Sequence, residues 1–391
     1  MTLQMEKLPQ NYRLVLKVAA CLGHSFDYHT FKKAKVNTNL NLEDLLPKVV
    51  SFGFIQELAP NQFAWAHDQI QQAGYALIPL DRREAFHLLI GTKLLMNTPR
   101  SELEKSIFNI VGQISIGKRL LQSDDQKYEV AELMLLAGEH ALGTSSFHSA
   151  AKYFMSGIED LLQDDCWETQ YKLSLKLHDA ALEALFATGD FTTLSMLTSK
   201  VLANARNFDD KLNCYHNLVR YLASSRQSEK GISTCISVLE QLGETEGVPM
   251  GLGISMGLNL CNFLGETLPT QILDVIVYAD YKNLKRVMSK YSEDDILRLP
   301  QMAVERKLMA MEFLNHMISS ANGTRPHLNA VIVCRMVRMT LEFGLCDASA
   351  CAFSGFGNMN ALDQDFERGY RFGYVALKIM ERFGKGNRVR F

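Results

Sequence analysis

The chain has 391 residues, of which 47% are hydrophobic and 21% are charged, and its formal net charge at pH 7 is −2. This composition is typical of a folded globular protein with ample core, and it excludes both a strongly basic nucleic-acid surface and an acidic tail. Nine prolines are spread thinly along the sequence, which argues against long disordered linkers.

Residues 1–66 are predicted to form a small winged-helix-like unit. Apolar spacing predicts three helices followed by a hairpin, over residues 11–22, 28–34, 42–52, 54–58 and 62–66. The third helix carries Glu43 and Asp44 and only Lys48 as a base, which is poor for contact with phosphates. We therefore expect a structural or regulatory unit that does not bind nucleic acid.

Residues 63–95 begin as a strand and continue as helices, which indicates a joint between two kinds of architecture. Phe63 and Trp65 alternate with alanines, which is typical of a short strand with one aromatic face. Asp68 then favours the start of a helix, and Pro79 ends that helix before a second one begins.

From residue 67 onward the sequence predicts almost nothing but helix, with connecting helices over 67–127 and a helical repeat region over 128–391. Turns recur at Phe147, Phe191 and Ser228, 44 and then 37 residues apart, and a later helix pair near the C-terminus fits the same scheme. This irregular period resembles degenerate tetratricopeptide-like repeats, in which stacked helix pairs share one core. The predicted fold class is all-α: a winged-helix-like N-terminal unit followed by an α-solenoid of degenerate tetratricopeptide-like helix pairs.

The cysteines indicate a reduced intracellular protein. None forms a CxxC pair, and most lie in apolar helical contexts, at Cys21, Cys166, Cys214, Cys235, Cys261, Cys334, Cys346 and Cys351. The N-terminal apolar segment is interrupted by Lys17 and lacks a signal-peptide cleavage pattern. The apolar stretch over residues 250–264 is too short to span a bilayer, so we expect a cytoplasmic location and no membrane contact.

Several segments that together cover nearly the whole chain carry a resemblance to a known family. They are FAWAHDQIQQAGYALIP (residues 63–79), followed by Arg82, Arg83 and His87, and the segments 130–161, 181–191, 342–357 and 365–379. They resemble the region after the nucleotide-binding module of large multidomain AAA-type signal-transduction ATPases and of serine-threonine and histidine hybrid kinase proteins. The resemblance implies that a winged-helix-like region ends here, that a long helical repeat region begins, and that the chain is a piece of a larger architecture.

Residues 112–118 have the G-x-x-x-x-G-K spacing of a phosphate-binding loop, but two features argue against that interpretation. Arg119 stands where a Ser or Thr hydroxyl would hold magnesium, and the preceding residues are predicted to be helical, whereas such a loop follows a strand. We therefore predict a continued helix here. The family resemblance implies that the phosphate loop of the larger protein lies upstream of this chain.

The remaining candidate groups, which are histidines, short acidic clusters and a glycine-rich segment, are predicted to have structural roles. His67 and Asp68 are neighbours at a helix start and point in different directions, so they cannot act on each other. Four further histidines have no partner at metal-ligand spacing, namely His24, His29, His140 and His148. The glycines of residues 251–257 depart by one residue from nucleotide-loop spacing. Short acidic clusters are predicted to cap or flank helices, at Asp164, Asp165, Glu293, Asp294 and Asp295.

These patterns predict no catalytic, cofactor-binding or metal-binding residue and no enzyme activity in this chain. The expected function is a non-catalytic interaction and regulatory region of a signal-transduction ATPase or kinase, which relays binding on the solenoid to a nucleotide-binding module. The expected partners are other proteins or adjacent ATPase and kinase domains, or a small ligand in the solenoid groove. Two alternatives stay open: an ATP-binding enzyme whose phosphate loop lies outside this chain, and a winged-helix transcriptional regulator.

Overall fold

A computed structural model describes residues 2–36, 41–244, 270–321 and 326–384. These residues are predominantly helical, which confirms the predicted all-α class. None of the described helices has both the length and the apolar content that crossing a membrane requires. The chain forms two compact units, Met1–Ala184 and Leu185–Phe391. The three-part division predicted from the sequence stays a prediction. The apolar stretch of residues 250–264, with Cys261 and the glycines of residues 251–257, lies outside the described residues.

The first unit begins with a three-stranded sheet and short helices. In chain order its elements are α1 (Thr2–Glu6), α2 (Gln10–Leu22), β1 (Ser25–Asp27), α3 (Tyr28–Lys33), α4 (Leu42–Ser51), β2 (Ile55–Ala59) and β3 (Gln62–Trp65). The strand order is β1-β3-β2, and both pairs are antiparallel. The three predicted helices and the hairpin lie within about one residue of their expected bounds, whereas β1 was not predicted because so short a strand shows no detectable alternation.

Aromatic side chains form the core around this sheet. Phe26 of β1 stacks on Phe63 of β3 with ring centroids 5.8 Å apart, and Trp65 is fully buried. A Cβ atom at Gly74 would lie 2.7 Å from the Trp65 ring. The next helix, α5 (Asp68–Ala76), therefore packs on the tryptophan at a distance that only glycine permits.

Helices make up the rest of the first unit. They are α6 (Arg83–Met96), α7 (Leu103–Gly117), α8 (Asp124–Gly143), α9 (Phe147–Ser156), α10 (Cys166–Thr169) and α11 (Tyr171–Thr188), whose residues divide between the two units. Helix α5 ends just before Pro79, as the conformational limits of proline predict. Helices α8 and α9 pack so closely that a Cβ atom at Gly138 would overlap the Phe154 ring.

Among the described residues of the second unit, a hydrophobic core spans residues 212–379, and the unit is built by helices. They are α12 (Phe191–Asn204), α13 (Leu212–Ser224), α14 (Ser228–Gln241), α15 (Thr270–Met288), α16 (Glu293–Leu297), α17 (Glu305–Ala321), α18 (Pro326–Phe343), α19 (Ser349–Leu362) and α20 (Phe366–Gly384). At the α19–α20 crossing, a Cβ atom at Gly357 would lie 2.9 Å from the Gly369 carbonyl oxygen. Small residues therefore permit the close helix crossing that the sequence predicted.

Four helix–helix turns share one backbone geometry. In each, a residue with positive φ stands two positions before the next helix: Ser145 (58°), Gly189 (78°), Arg226 (59°) and Gln364 (61°). The following residue donates its amide to the carbonyl five residues earlier, at 2.8, 3.1, 2.9 and 2.9 Å respectively. This bond closes a Schellman motif and satisfies a carbonyl that the helix end leaves unpaired. The turns predicted at Phe147, Phe191 and Ser228 are confirmed, because these residues begin α9, α12 and α14.

The cysteines that the structure describes are buried, except for the exposed Cys351. Burial raises the pKa of the Cys21, Cys235 and Cys334 thiols to about 12. Thiols with such pKa values stay protonated at neutral pH and react slowly with oxidants. Their environment is that of the core thiols predicted from the sequence.

Candidate functional site

The segment with phosphate-loop spacing is helical, as predicted. Gly112 and Gly117 belong to α7, and Lys118 opens a short 3-10 turn. Helical hydrogen bonds engage the backbone N–H groups of this segment, so they cannot surround a phosphate. Lys118 donates to the Ser156 hydroxyl at 2.8 Å and also pairs with the Asp160 carboxylate. Its ammonium group thus has a structural role within the first unit.

His67 and Asp68 mark the start of α5. His67 is the residue before the helix, and its Nδ1 accepts the Gln69 amide hydrogen at 3.1 Å. Asp68 lies in the first helical turn, and its carboxylate is 3.0 Å from Nδ1 of His24. This exposed pair could not be predicted from the sequence, because 44 residues separate its members in the chain.

The other histidines singled out in the sequence have separate surroundings. Nε2 of His29 lies 3.7 Å from the Glu102 carboxylate. The His140 ring packs edge-to-face on Phe108 with centroids 5.1 Å apart, and His148 is exposed. The structure does not bring these histidines together into one site.

The acidic clusters flank helices, as predicted. Asp165 precedes α10 as its N-terminal boundary residue. Asp295 accepts the Ser292 amide at 2.8 Å and donates its own amide to the Ser292 hydroxyl at 3.1 Å. These reciprocal bonds form a capping box at the start of α16.

An open groove of about 560 Å³ lies among α15, α18 and α19 of the second unit. Its lining is apolar except for two phenols and one carboxylate, and consists of Val277, Tyr278, Tyr281, Ala330, Met359, Leu362 and Asp363. A cleft of this size with few convergent polar groups has the usual form of a ligand or peptide site. None of these lining residues was recognisable as part of a site from the sequence.

Asp363 is the polar centre of the groove. Its carboxylate accepts hydrogen bonds from Tyr278 at 3.1 Å, Tyr281 at 3.3 Å, and Lys282 and Lys285 at 2.8 Å each. The four donors share one face of α15, because helical residues three or four positions apart are neighbours. The hydrogen bonds from Lys282 and Lys285 hold the pKa of Asp363 well below its ordinary value.

This arrangement favours binding over acid–base chemistry at Asp363. A carboxylate with so low a pKa is a weak general base, and its oxygens are already engaged by four donors. At the rim of the groove, Tyr278 and Leu362 are exposed and present apolar surface to solvent. The groove is therefore suited to receive an apolar side chain beside a fixed polar network.

Helix α20 carries a second apolar surface. Its core-facing side chains are buried and include Phe372, Val375, Ala376 and Ile379. Its opposite side exposes five large apolar side chains, which we call the α20 stripe: Phe366 (70% exposed), Tyr370 (81%), Tyr374 (41%), Leu377 (60%) and Met380 (57%). A helix that is apolar on two faces is typical of a helix that packs against neighbours on both sides.

A cluster of titratable groups joins α13 and α17. The rings of His216 and His316 have centroids 4.7 Å apart, and Glu312 stands one helical turn before His316. One ring nitrogen of each histidine and one carboxylate oxygen of Glu312 all lie within 4.8 Å of one another. Burial, with the nearby charge of Arg220, lowers the pKa of His216 to about 3 and of His316 to about 4. Only the Glu312–His316 spacing was visible in the sequence, and it was not singled out.

Comparison with known proteins gives distant similarity to signal-transduction proteins. No protein-family model matches the sequence. Over 360 residues the chain is 20% identical to the hybrid signal transduction histidine kinase G of Dictyostelium discoideum, covering 83% of this chain and 10% of that protein. The chain therefore spans about a tenth of the length of the curated relative that it matches.

A solved structure aligns with most of the chain, but at low structural similarity. It is the crystal structure of a signal transduction ATPase with numerous domains from Pyrococcus horikoshii, which has a tetratricopeptide repeat sensor. The alignment covers 96% of this chain and 64% of that chain, at 12% identity and a TM-score of 0.28.

Proposed function

We propose that this chain is a non-catalytic interaction region of a signal-transduction protein of the ATPase or kinase type, and that its α20 stripe binds an amphipathic helix of a partner protein. The observation that carries the proposal is the stripe itself, which stays exposed while the opposite face of α20 is buried. The similarity to a hybrid signal transduction histidine kinase supports the signalling context.

The geometry of the α20 stripe favours a helical partner. From Phe366 to Met380 its members follow each other at intervals of three or four residues, which is the spacing of one helix packing on another. The stripe extends over about 21 Å of helix at 1.5 Å per residue. Two of its members are tyrosines, a residue type that often anchors protein interfaces.

The N-terminal region supports a regulatory part of the proposal. We assign residues 1–66 to a winged-helix-like unit, because helices, a short strand and a terminal hairpin follow in that order. In the proposed function this unit transmits the bound state of the helical region to a nucleotide-binding module outside this chain, in the cytoplasm. The repeat geometry of the four Schellman turns supports a tetratricopeptide-like organisation of the helical part.

The stripe is tested with a reconstituted complex. A partner is first isolated from an extract of the source cells with the full chain, then purified, and its dissociation constant is measured by isothermal titration calorimetry. We expect Tyr370→Asp combined with Leu377→Asp to raise the Kd at least tenfold, because the interface would have to desolvate two carboxylates. As a matched control, Leu80→Asp combined with Met96→Asp changes two other exposed apolar residues and leaves the Kd unchanged. Equal Kd values for wild type and the stripe variant would overturn the assignment.

The non-catalytic part is tested separately, on the purified chain without a partner. A fluorescent ATP analogue is titrated with magnesium present, and we expect no binding at high micromolar concentrations. Magnesium-dependent binding at micromolar concentrations would overturn the proposal in favour of an ATP-binding enzyme. Salt-sensitive binding of duplex DNA would overturn it in favour of a transcriptional regulator.

A further inference from the structure

We propose that His216, Glu312 and His316 form a site for one divalent transition-metal ion of the zinc class, in addition to the proposed interaction function. Two imidazoles and one carboxylate are an established zinc ligand set, which leaves a fourth position for water or an incoming group. Neutral imidazole also suits the neighbouring ions cobalt, nickel and copper.

The two helices place these ligands at the spacing that a metal ion needs. Glu312 and His316 are four residues apart on α17 and so share one face, and His216 reaches the same point from α13. Zinc–ligand distances of about 2.1 Å allow two ligand atoms on one ion to lie up to roughly 4.2 Å apart. The three ligand atoms already lie within 4.8 Å of one another, so small side-chain rotations are sufficient.

A second observation points to a ligand at the same place. Nε2 of His316 is buried and makes no hydrogen bond to any part of the chain that the structure describes. Buried polar atoms in proteins are nearly always paired, because an unpaired one costs about 1–3 kcal/mol. A metal ion would bind the lone pair of this nitrogen, so the nitrogen would have a partner although no described residue donates a hydrogen bond to it.

The positive charge of Arg220 weakens the binding of a metal ion at this site. Its guanidinium lies over the Phe186 ring at 4.1 Å, and its charge acts on both imidazoles. This positive charge opposes a cation, and the carboxylate of Glu312 offsets it. Replacement of Arg220 by an uncharged side chain of similar length therefore strengthens metal binding.

The direct test is a titration of the metal-free full chain with cobalt(II), followed by zinc. We expect saturation at one ion per chain, visible d–d absorption of a site with nitrogen and oxygen ligands, and displacement of cobalt by zinc. His216→Ala, His316→Ala and Glu312→Gln each weaken binding at least tenfold, whereas Arg220→Met tightens it. His148→Ala is the matched control, because that histidine is exposed and distant in sequence, and it leaves binding unchanged.

The titration of the wild-type chain gives an answer that does not depend on the folding of any variant. Absence of saturable cobalt binding to the folded wild-type chain overturns the proposal. Sulfur-to-cobalt charge-transfer absorption also overturns it, because that signal assigns the ion to cysteine thiolates. Far-UV circular dichroism identifies folded variants, and unchanged binding by a folded His316→Ala chain excludes the site. Zinc that raises the unfolding temperature of wild type but not of His316→Ala supports it, because a bound ion stabilises only the state that holds it.

Discussion

His87 and Gln113 share a buried hydrogen bond of 2.7 Å between Nδ1 of the imidazole and the amide oxygen. Gln113 in turn donates its side-chain N–H to the Cys21 carbonyl at 2.6 Å, which fixes the orientation of its amide. Nδ1 of His87 must therefore carry the hydrogen, and Nε2 accepts from the Tyr75 hydroxyl at 3.0 Å. One continuous set of hydrogen bonds thus connects α2, α5, α6 and α7.

Gln113→Met is expected to destabilise the first unit by about 2–4 kcal/mol. The substitution conserves side-chain length but leaves the His87 Nδ1–H and the Cys21 carbonyl without partners, at about 1–3 kcal/mol for each buried group. Urea unfolding followed by circular dichroism measures the change. Gln69→Met, at an exposed position, is the control and is expected to stay within about 0.5 kcal/mol of wild type. An equally small effect at Gln113 would contradict the importance of the network.

Glu244→Gln is expected to destabilise the second unit by about 3–5 kcal/mol, the cost typical of breaking a buried ion pair. The Glu244 side chain is 2% exposed and lies 2.5 Å from Lys307 Nζ and 2.9 Å from an Arg335 nitrogen. The amide leaves both cations without a balancing charge. Chemical unfolding of the variant is compared with that of Glu240→Gln, an exposed position on α14. If the free energy of unfolding of Glu244→Gln falls no more than that of the control, water solvates the two cations well enough to replace the carboxylate.

Gly138→Ala and Gly112→Ala are expected to act in opposite directions, although both glycines lie inside helices. A methyl group at Gly138 overlaps the Phe154 ring and forces α8 and α9 apart, at a cost of about 1–3 kcal/mol. Gly112 faces open space, so alanine there stabilises α7 by about 0.5–1 kcal/mol. Thermal unfolding measures the change, and we expect a lower unfolding temperature for Gly138→Ala and a higher one for Gly112→Ala. Destabilisation by Gly112→Ala would contradict the helical environment assigned to the segment with phosphate-loop spacing.

Asp363→Asn is expected to lower the unfolding temperature at pH 7 by several degrees and to lose this effect in acid. The pKa of Asp363 is lowered in the folded state, so its stabilising contribution is fully present above the ordinary aspartate pKa of about 4. That contribution is lost as the pH falls towards the folded-state pKa. The unfolding temperatures of wild type and variant therefore begin to approach each other below about pH 4 and come closer as the pH falls further.

The control for the Asp363 measurement is Asp81→Asn, at an exposed position of the first unit. Its unfolding temperature is expected to follow that of wild type throughout the same pH range. If the unfolding temperatures of wild type and Asp363→Asn differ by the same amount at every pH, the effect comes from packing and the charge of Asp363 contributes nothing.

Elements with a strong local signal could be predicted from the sequence. The helix at α2 and the β2–β3 hairpin follow from apolar spacing and from the turn around Asn61, whose φ is 65°. The helical state of Gly112 also followed from local pattern, against a motif that pointed elsewhere. The groove around Asp363 could not be predicted, because Lys282 and Lys285 reach it across about 80 residues.

The sequence by itself determined where helices begin and end, because helical period, capping residues and turn residues act within a few positions. Among the four left-handed turn residues, however, only Gly189 is of a type that favours this conformation, and Ser145, Arg226 and Gln364 adopt it where the Schellman hydrogen bond ends a helix. The tertiary structure alone decided that His216 meets His316. This contact depends on how two helices that are far apart in the chain pack together. The spacing of residues within either helix carries no information about that packing.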